Sequence, residues 1–134
     1  MTTATPARVR VASRRDDARY REAEAAAWAH HGMTPREHWV EVAELGVNVR
    51  ALVHGEGRTV VFVHGNPTAG NVFVPLVAAL RGVRAVVVDR PGCGLSDPID
   101  YRGMTADGLR HAVTAYLVAV VQALAEGPVD MVGN

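Results

Sequence analysis

Residues 60–70, VVFVHGNPTAG, pass from a β-branched run straight into two glycines separated by four residues. A loop of this kind sets backbone N–H groups where negative charge collects, and three chemistries use it. Nucleotide hydrolysis needs a lysine for the terminal phosphates and a hydroxyl for magnesium directly after the second glycine. Here Gly70 is followed by Asn71 and Val72, which supply neither. Dinucleotide binding is the nearer rival, because strand, loop, helix and strand run in order and Asp89 ends the second strand, where an acid could hold a ribose hydroxyl. Pro67, however, stands where close backbone approach is needed, and the later GCGLSD lacks a third glycine. The third chemistry is acyl transfer, in which N–H groups are fixed at the point where the oxyanion of a tetrahedral intermediate develops. In His64-Gly65-Asn66-Pro67 the expected donor is the Asn66 N–H; the plainer alternative is that Asn66 caps a turn before proline.

The other polar residues near the two glycine loops read mostly as braces. His64 has no Asp or Glu beside it in sequence and is expected to brace its loop. Asp89 is expected to brace the loop after its strand, and Ser96 or Asp97 to cap the turn. Cys93, between two glycines, has nothing nearby to lower its pKa and reads as inert. His30, His31 and His38 lack a third ligand at metal spacing, so no metal is expected.

Holding such loops in place is the task of the flanking elements. SRRDDARYREAEAAAWAHHG predicts a helix between a Ser13 cap and a Gly32 stop, with its charges on a solvated face, after a frayed tail over 1–12. HWVEVAE and VRALVHG alternate around Gly46 and Asn48 and predict a hairpin. RTVVFVHG and RAVVVDR carry the apolar run of strands buried on both faces, and PVDMVGN begins a third. NVFVPLVAALRG between the first two has helical spacing. From about Thr105 a long amphipathic helix presents Leu109, Val113, Tyr116, Leu117, Val120 and Leu124 on one stripe before Gly127-Pro128. The order, hairpin then β-α-β-α-β, predicts an α/β fold whose mostly parallel sheet has an antiparallel edge hairpin and flanking helices. Both glycine loops then fall at carboxyl ends of strands, where such sheets place their sites.

Composition narrows the function classes. The chain has 134 residues, 49% of them hydrophobic, enough for one core. Its 14 basic residues balance 14 acids, leaving no charge excess to favour nucleic acid. One cysteine permits no internal disulfide, which fits a reducing cytoplasm, and no apolar run is long enough for a membrane span.

HGNPT followed by VVVDRPGCGLSDP resembles the α/β-hydrolase fold superfamily, which commonly carries H-G-x-P after its third strand and D-x-x-G-x-G-x-S after its fourth. The matching residues are His64, Gly65, Asn66, Pro67 and then Asp89, Gly92, Gly94 and Ser96. The order of elements from residue 38 onward agrees, so the resemblance implies a tail and helix over 1–37 and a hydrolase domain over 38–134. In that superfamily a nucleophile sits on a G-x-S-x-G elbow after the fifth strand, and the acid and catalytic histidine follow. Gly133 and Asn134 match the first two elbow positions. The domain is therefore expected to be incomplete, a fragment or truncated product ending before the elbow. The only serines are Ser13, in the N-terminal arm, and Ser96, followed by Asp97-Pro98 where the elbow needs glycine; no nucleophile is expected within the chain. The resemblance implies hydrolysis of a small ester, amide or similar substrate, without a cofactor, in a full-length form, and an inactive isolated chain. HGNPT is also similar to the haloalkane dehalogenases, where the matching asparagine helps hold a halide and the nucleophile is aspartate.

Overall fold

The computed structural model describes residues 13–134; the tail expected over 1–12 lies outside the described residues. Helix α1 (Ala18–His30) forms from an Ala/Arg/Glu-rich stretch of strong helix formers. Its cap is Asp17, which accepts the Tyr20 N–H at 3.0 Å, and not Ser13, which accepts the Arg15 N–H in the preceding turn. Asp17 directly precedes the first helical residue, so its carboxylate reaches an orphan N–H and favours the positive end of the helix dipole. The helix is also less solvated than its composition predicts. Trp28 is 1% exposed, and Glu24, one turn earlier on the same side, is buried with it.

Strands β1 (Arg36–Val42) and β2 (Val47–His54) form the antiparallel hairpin, Val42 opposite Val47. Gly46 makes the turn in left-handed backbone after a short 3-10 turn, while Asn48 already belongs to β2. Strands β3 (Arg58–Val63), β4 (Val83–Val88) and β5 (Val129–Gly133) are mutually parallel across β4–β3–β5. The sheet order is β1-β2-β4-β3-β5, with β2 antiparallel to β4. Helices α2 (Val74–Ala79) and α3 (Ala106–Leu124) are the two crossovers. The helix expected after the first glycine loop is short, because Gly70–Phe73 forms a 3-10 turn and Pro75 lies in the first turn of α2.

Strand alternation divides the core between the two sheet faces. Leu52, Val60, Phe62, Ala85 and Val87 pack with Trp28 of α1 and with Phe73, Val74 and Val77 around α2. Val49, Ala51, Val53, Val61, Val86 and Val88 pack with Tyr116, Val120 and Leu124 of α3. Two expectations need correction here. Leu109 is 43% exposed, since the first turn of α3 stands clear of the sheet and its buried stripe starts at Ala112. The segment read as a third buried strand, β5, is not buried on its faces: among the described residues it lies at the sheet edge, pairs with β3 alone, and leaves Met131 51% exposed. Its apolar composition matches a central strand, but burial depends on neighbours, and among the described residues β5 has one on a single side. The parallel strands bring the carboxyl ends of β3, β4 and β5 to one rim, where both glycine loops lie.

Candidate active site

The loop from His64 to Gly70 is tied at both ends. His64, 1% exposed, accepts the Arg90 N–H on Nε2 at 3.0 Å. The proton is therefore on Nδ1, which donates to the Gly65 carbonyl at 2.8 Å. That carbonyl also accepts the Thr68 hydroxyl at 2.8 Å and the Thr68 N–H at 3.2 Å. The Gly65 N–H donates to Asn134 Oδ1 at 2.7 Å, so the end of β5 abuts the loop. At the far end the Gly70 N–H donates to Asp89 Oδ1 at 2.9 Å. Between these anchors Asn66 and Pro67, joined by a cis peptide bond, are exposed at the rim. Among the described residues no acceptor meets the Asn66 N–H. The Asn66 side chain accepts a weak contact from the Cys93 thiol at 3.9 Å.

Asp89 joins the second glycine loop to the first. Its Oδ2 accepts the Leu95 N–H at 3.1 Å and Arg50 Nη1 at 3.3 Å. Its carbonyl accepts the Ser96 hydroxyl at 2.6 Å, and the Ser96 oxygen in turn accepts the Arg50 N–H at 2.8 Å. Asp97 accepts from the Asn48 N–H at 2.8 Å and from its side chain at 3.0 Å, so Ser96 and Asp97 both stitch the loop to β2. Gly94 lies against the Asp89 carboxyl group with φ +53°, and a Cβ there would overlap that group. Gly94→Ala is therefore expected to cost about 1–3 kcal/mol, measured by urea unfolding, through displacement of Asp89 and backbone strain. Gly103, also left-handed but with open space around it, serves as the control.

Sequence reasoning passed over the group that holds Asp89. Arg50, 4% exposed on β2, meets Glu24 of α1 at 2.5 Å, Glu37 of β1 at 2.7 Å and Asp89 at 3.3 Å. Burial raises the Glu24 pKa against the opposing pull of Arg50. Burial also acts to raise Glu37, but hydrogen bonds from Arg21, Arg50 and Trp39 prevail and bring it down to about 2. Burial disfavours the Arg50 charge, yet its carboxylate partners prevail and raise its pKa. The signals were present: an arginine inside the apolar strand VRALVH, and a glutamate four residues before a tryptophan on one helix face.

Burial pushes the His64 pKa below 6.5. Protonation would turn Nε2 into a donor facing the Arg90 N–H, beside a guanidinium. A depressed folded pKa means that this contribution to stability is present above 6.5 and is lost as pH falls through the folded value. Proton NMR of the imidazole is expected to give a midpoint below 6.5, with the Arg90 amide resonance moving along the same curve. The Cys93 thiol is pushed up by burial, against the use of a thiolate at neutral pH. Among the described residues no cluster of His, Cys, Asp and Glu could hold a metal ion, and no helix is long and apolar enough to cross a membrane.

The chain is 48% identical over 46 residues to the pimeloyl-[acyl-carrier protein] methyl ester esterase of Shewanella woodyi, covering 34% of this chain and 18% of that relative. It is 41% identical over 59 residues to the cis-3-alkyl-4-alkyloxetan-2-one decarboxylase of Shewanella oneidensis, covering 43% and 19% respectively. These matches span less than a fifth of either relative's length. In three dimensions the chain is similar to the haloalkane dehalogenase DatA from Agrobacterium tumefaciens C58, with a TM-score of 0.63 and 27% identity, over 81% of this chain and 34% of the dehalogenase. The sequence model of the Alpha/beta hydrolase family covers residues 60–134, from β3 through both glycine loops and α3 to the end of β5. With more than half of its length under that model and both loops on the rim of such a sheet, the chain belongs to the alpha/beta hydrolase family.

Proposed function

We propose that residues 64–70 form the oxyanion-hole loop of a hydrolase acting on a small ester, amide or similar carbonyl substrate, with the Asn66 N–H as one donor. The observation that carries this reading is an N–H without an internal acceptor, at the strand rim, between two anchored loop ends. A donor held in this way needs no reorganisation when charge develops on the substrate oxygen. The similarity to an esterase supports carbonyl chemistry. Among the described residues neither serine fits the nucleophile. Ser96 is buried, its hydroxyl spent on the Asp89 carbonyl, and Ser13 precedes α1. In this reading the nucleophile, a serine or aspartate, is not one of the described residues, and the 134-residue chain has no turnover of its own. His64, Gly65, Pro67, Asp89, Gly92, Gly94 and Ser96 shape the loops without touching substrate. No cofactor takes part, the partner is a small molecule, and a cytoplasmic setting suits the single unpaired Cys93.

The purified chain is expected to leave p-nitrophenyl acetate and butyrate at the buffer rate. Turnover that persists through purification and disappears on Cys93→Ser would overturn this reading by making the thiol a nucleophile. A second reading is favoured by the similarity to DatA, whose name assigns it to haloalkanes. In it the exposed Asn66 side chain holds a halide leaving group and the nucleophile is aspartate.

A further inference from the structure

The family model begins at residue 60, yet α1, over Ala18–His30, reaches the far end of the oxyanion loop by two separate routes. Glu24 grips Arg50 Nη2 at 2.5 Å, and Arg50 Nη1 reaches the Asp89 carboxylate that holds the Gly70 and Leu95 N–H groups. Four residues earlier on the same face, the Tyr20 hydroxyl accepts a long hydrogen bond from Asn71 Nδ2 at 3.4 Å, one residue past Gly70. We infer that α1 is a positioning element of the site, and that Tyr20 and Glu24 are positioning residues which hold the Gly70 end of the oxyanion loop through Asn71 and through Arg50–Asp89.

The geometry gives Glu24 a specific part. Arg50 is shared between Glu24, which lies inside, and Glu37, whose side chain is 30% exposed. A cleft of about 430 Å³, lined by Arg21, Glu24, Glu37 and Arg50 among others, opens beside them. A buried guanidinium gains by moving toward water when its inner partner weakens. Without the Glu24 charge, Arg50 follows Glu37 into this cleft and its grip on Asp89 loosens. Tyr20 shares this environment: burial, then the charges of Asp89 and Glu24, push its pKa up to about 12, so it stays a neutral hydroxyl at the loop.

Only the functional meaning of this inference rests on the oxyanion reading; the mechanical link does not, and the test separates them. Residue-resolved hydrogen exchange on the 134-residue chain is compared for wild type, Glu24→Gln, Tyr20→Phe and the double variant. Both substitutions are near-isosteric and leave the α1 face apolar contacts in place. The Gly70 and Leu95 amides are expected to exchange on the order of tenfold faster in Glu24→Gln. Gly70 alone responds in Tyr20→Phe, and the double variant exceeds either. The Trp28 amide within α1 and the Val120 amide on the opposite sheet face keep wild-type rates, which a general loosening or a frayed helix would not allow. Unprotected Gly70 and Leu95 amides in the wild type, unchanged rates in the variants, or acceleration shared equally with Trp28 and Val120 would each overturn the link. Failure of the Asn66 substitutions described below, with this exchange pattern intact, would instead remove the oxyanion reading and leave the positioning role standing.

Discussion

Arg50→Met is expected to lower folding stability by about 3–5 kcal/mol, the cost of leaving buried carboxylates without their cation. Glu24 and Asp89 are both buried, and each depends on the same guanidinium. Methionine reproduces the stem of arginine as far as about Nε, so the packing lost is that of the guanidinium group itself and the effect reports chiefly on the charge. Since single domains are stable by about 5–15 kcal/mol, such a loss would bring the variant close to its unfolding midpoint under mild denaturant. The test is a pair of urea unfolding curves near neutral pH. Adding Glu24→Gln to Arg50→Met removes one of the stranded charges and is expected to recover part of the loss. A cost below about 1 kcal/mol for Arg50→Met, the range of exposed ion pairs, would mean that the cluster is solvated and holds nothing in place.

The second large effect is catalytic and concerns a polypeptide that contains these residues together with a nucleophile. Asn66→Pro removes the N–H and is expected to reduce kcat by roughly 10²–10³, the usual cost of one oxyanion donor. Asn66→Ala keeps the N–H and removes only the side chain, so its kcat stays near wild type if the backbone is the working group. The loss should fall on kcat more than on KM, because the donor is complementary to charge that exists only in the transition state. Equal losses in the two variants would assign the work to the side chain, as in the dehalogenase-like reading. Wild-type kcat in Asn66→Pro would remove Asn66 from the oxyanion hole altogether.

Much of the architecture was legible in the order of residues, and the reason is local. The β-branched runs at 58–63 and 83–88, the alternation around Gly46 and the Thr105 cap before a 3.6-residue stripe each specify an element within a dozen residues. Short crossovers between such strands leave little topological choice, so the mixed sheet with its antiparallel hairpin follows from the order alone. The gathering of HGNP and DRPGCGLS on one rim was legible for the same reason, as each follows the carboxyl end of a parallel strand.

What only the tertiary structure decided are the quantities set by neighbours distant in sequence. The apolar composition of β5 does not reveal that it lies at the sheet edge, and Leu109 fits its helical stripe yet stands clear of the core. Glu24 looks like one charge among many on a soluble helix. It is buried because Trp28 draws that face of α1 onto the sheet and Arg50 waits beneath it, 26 residues further along the chain. Periodicity reports which side chains share a face, but not what the opposite surface offers. A buried ion pair is stable only when both partners and their remaining hydrogen bonds arrive together. The two loops of the candidate site were therefore apparent from the amino-acid sequence, while the cluster that holds them, Glu24, Glu37 and Arg50 around Asp89, exists only once the helix and the sheet have closed on each other.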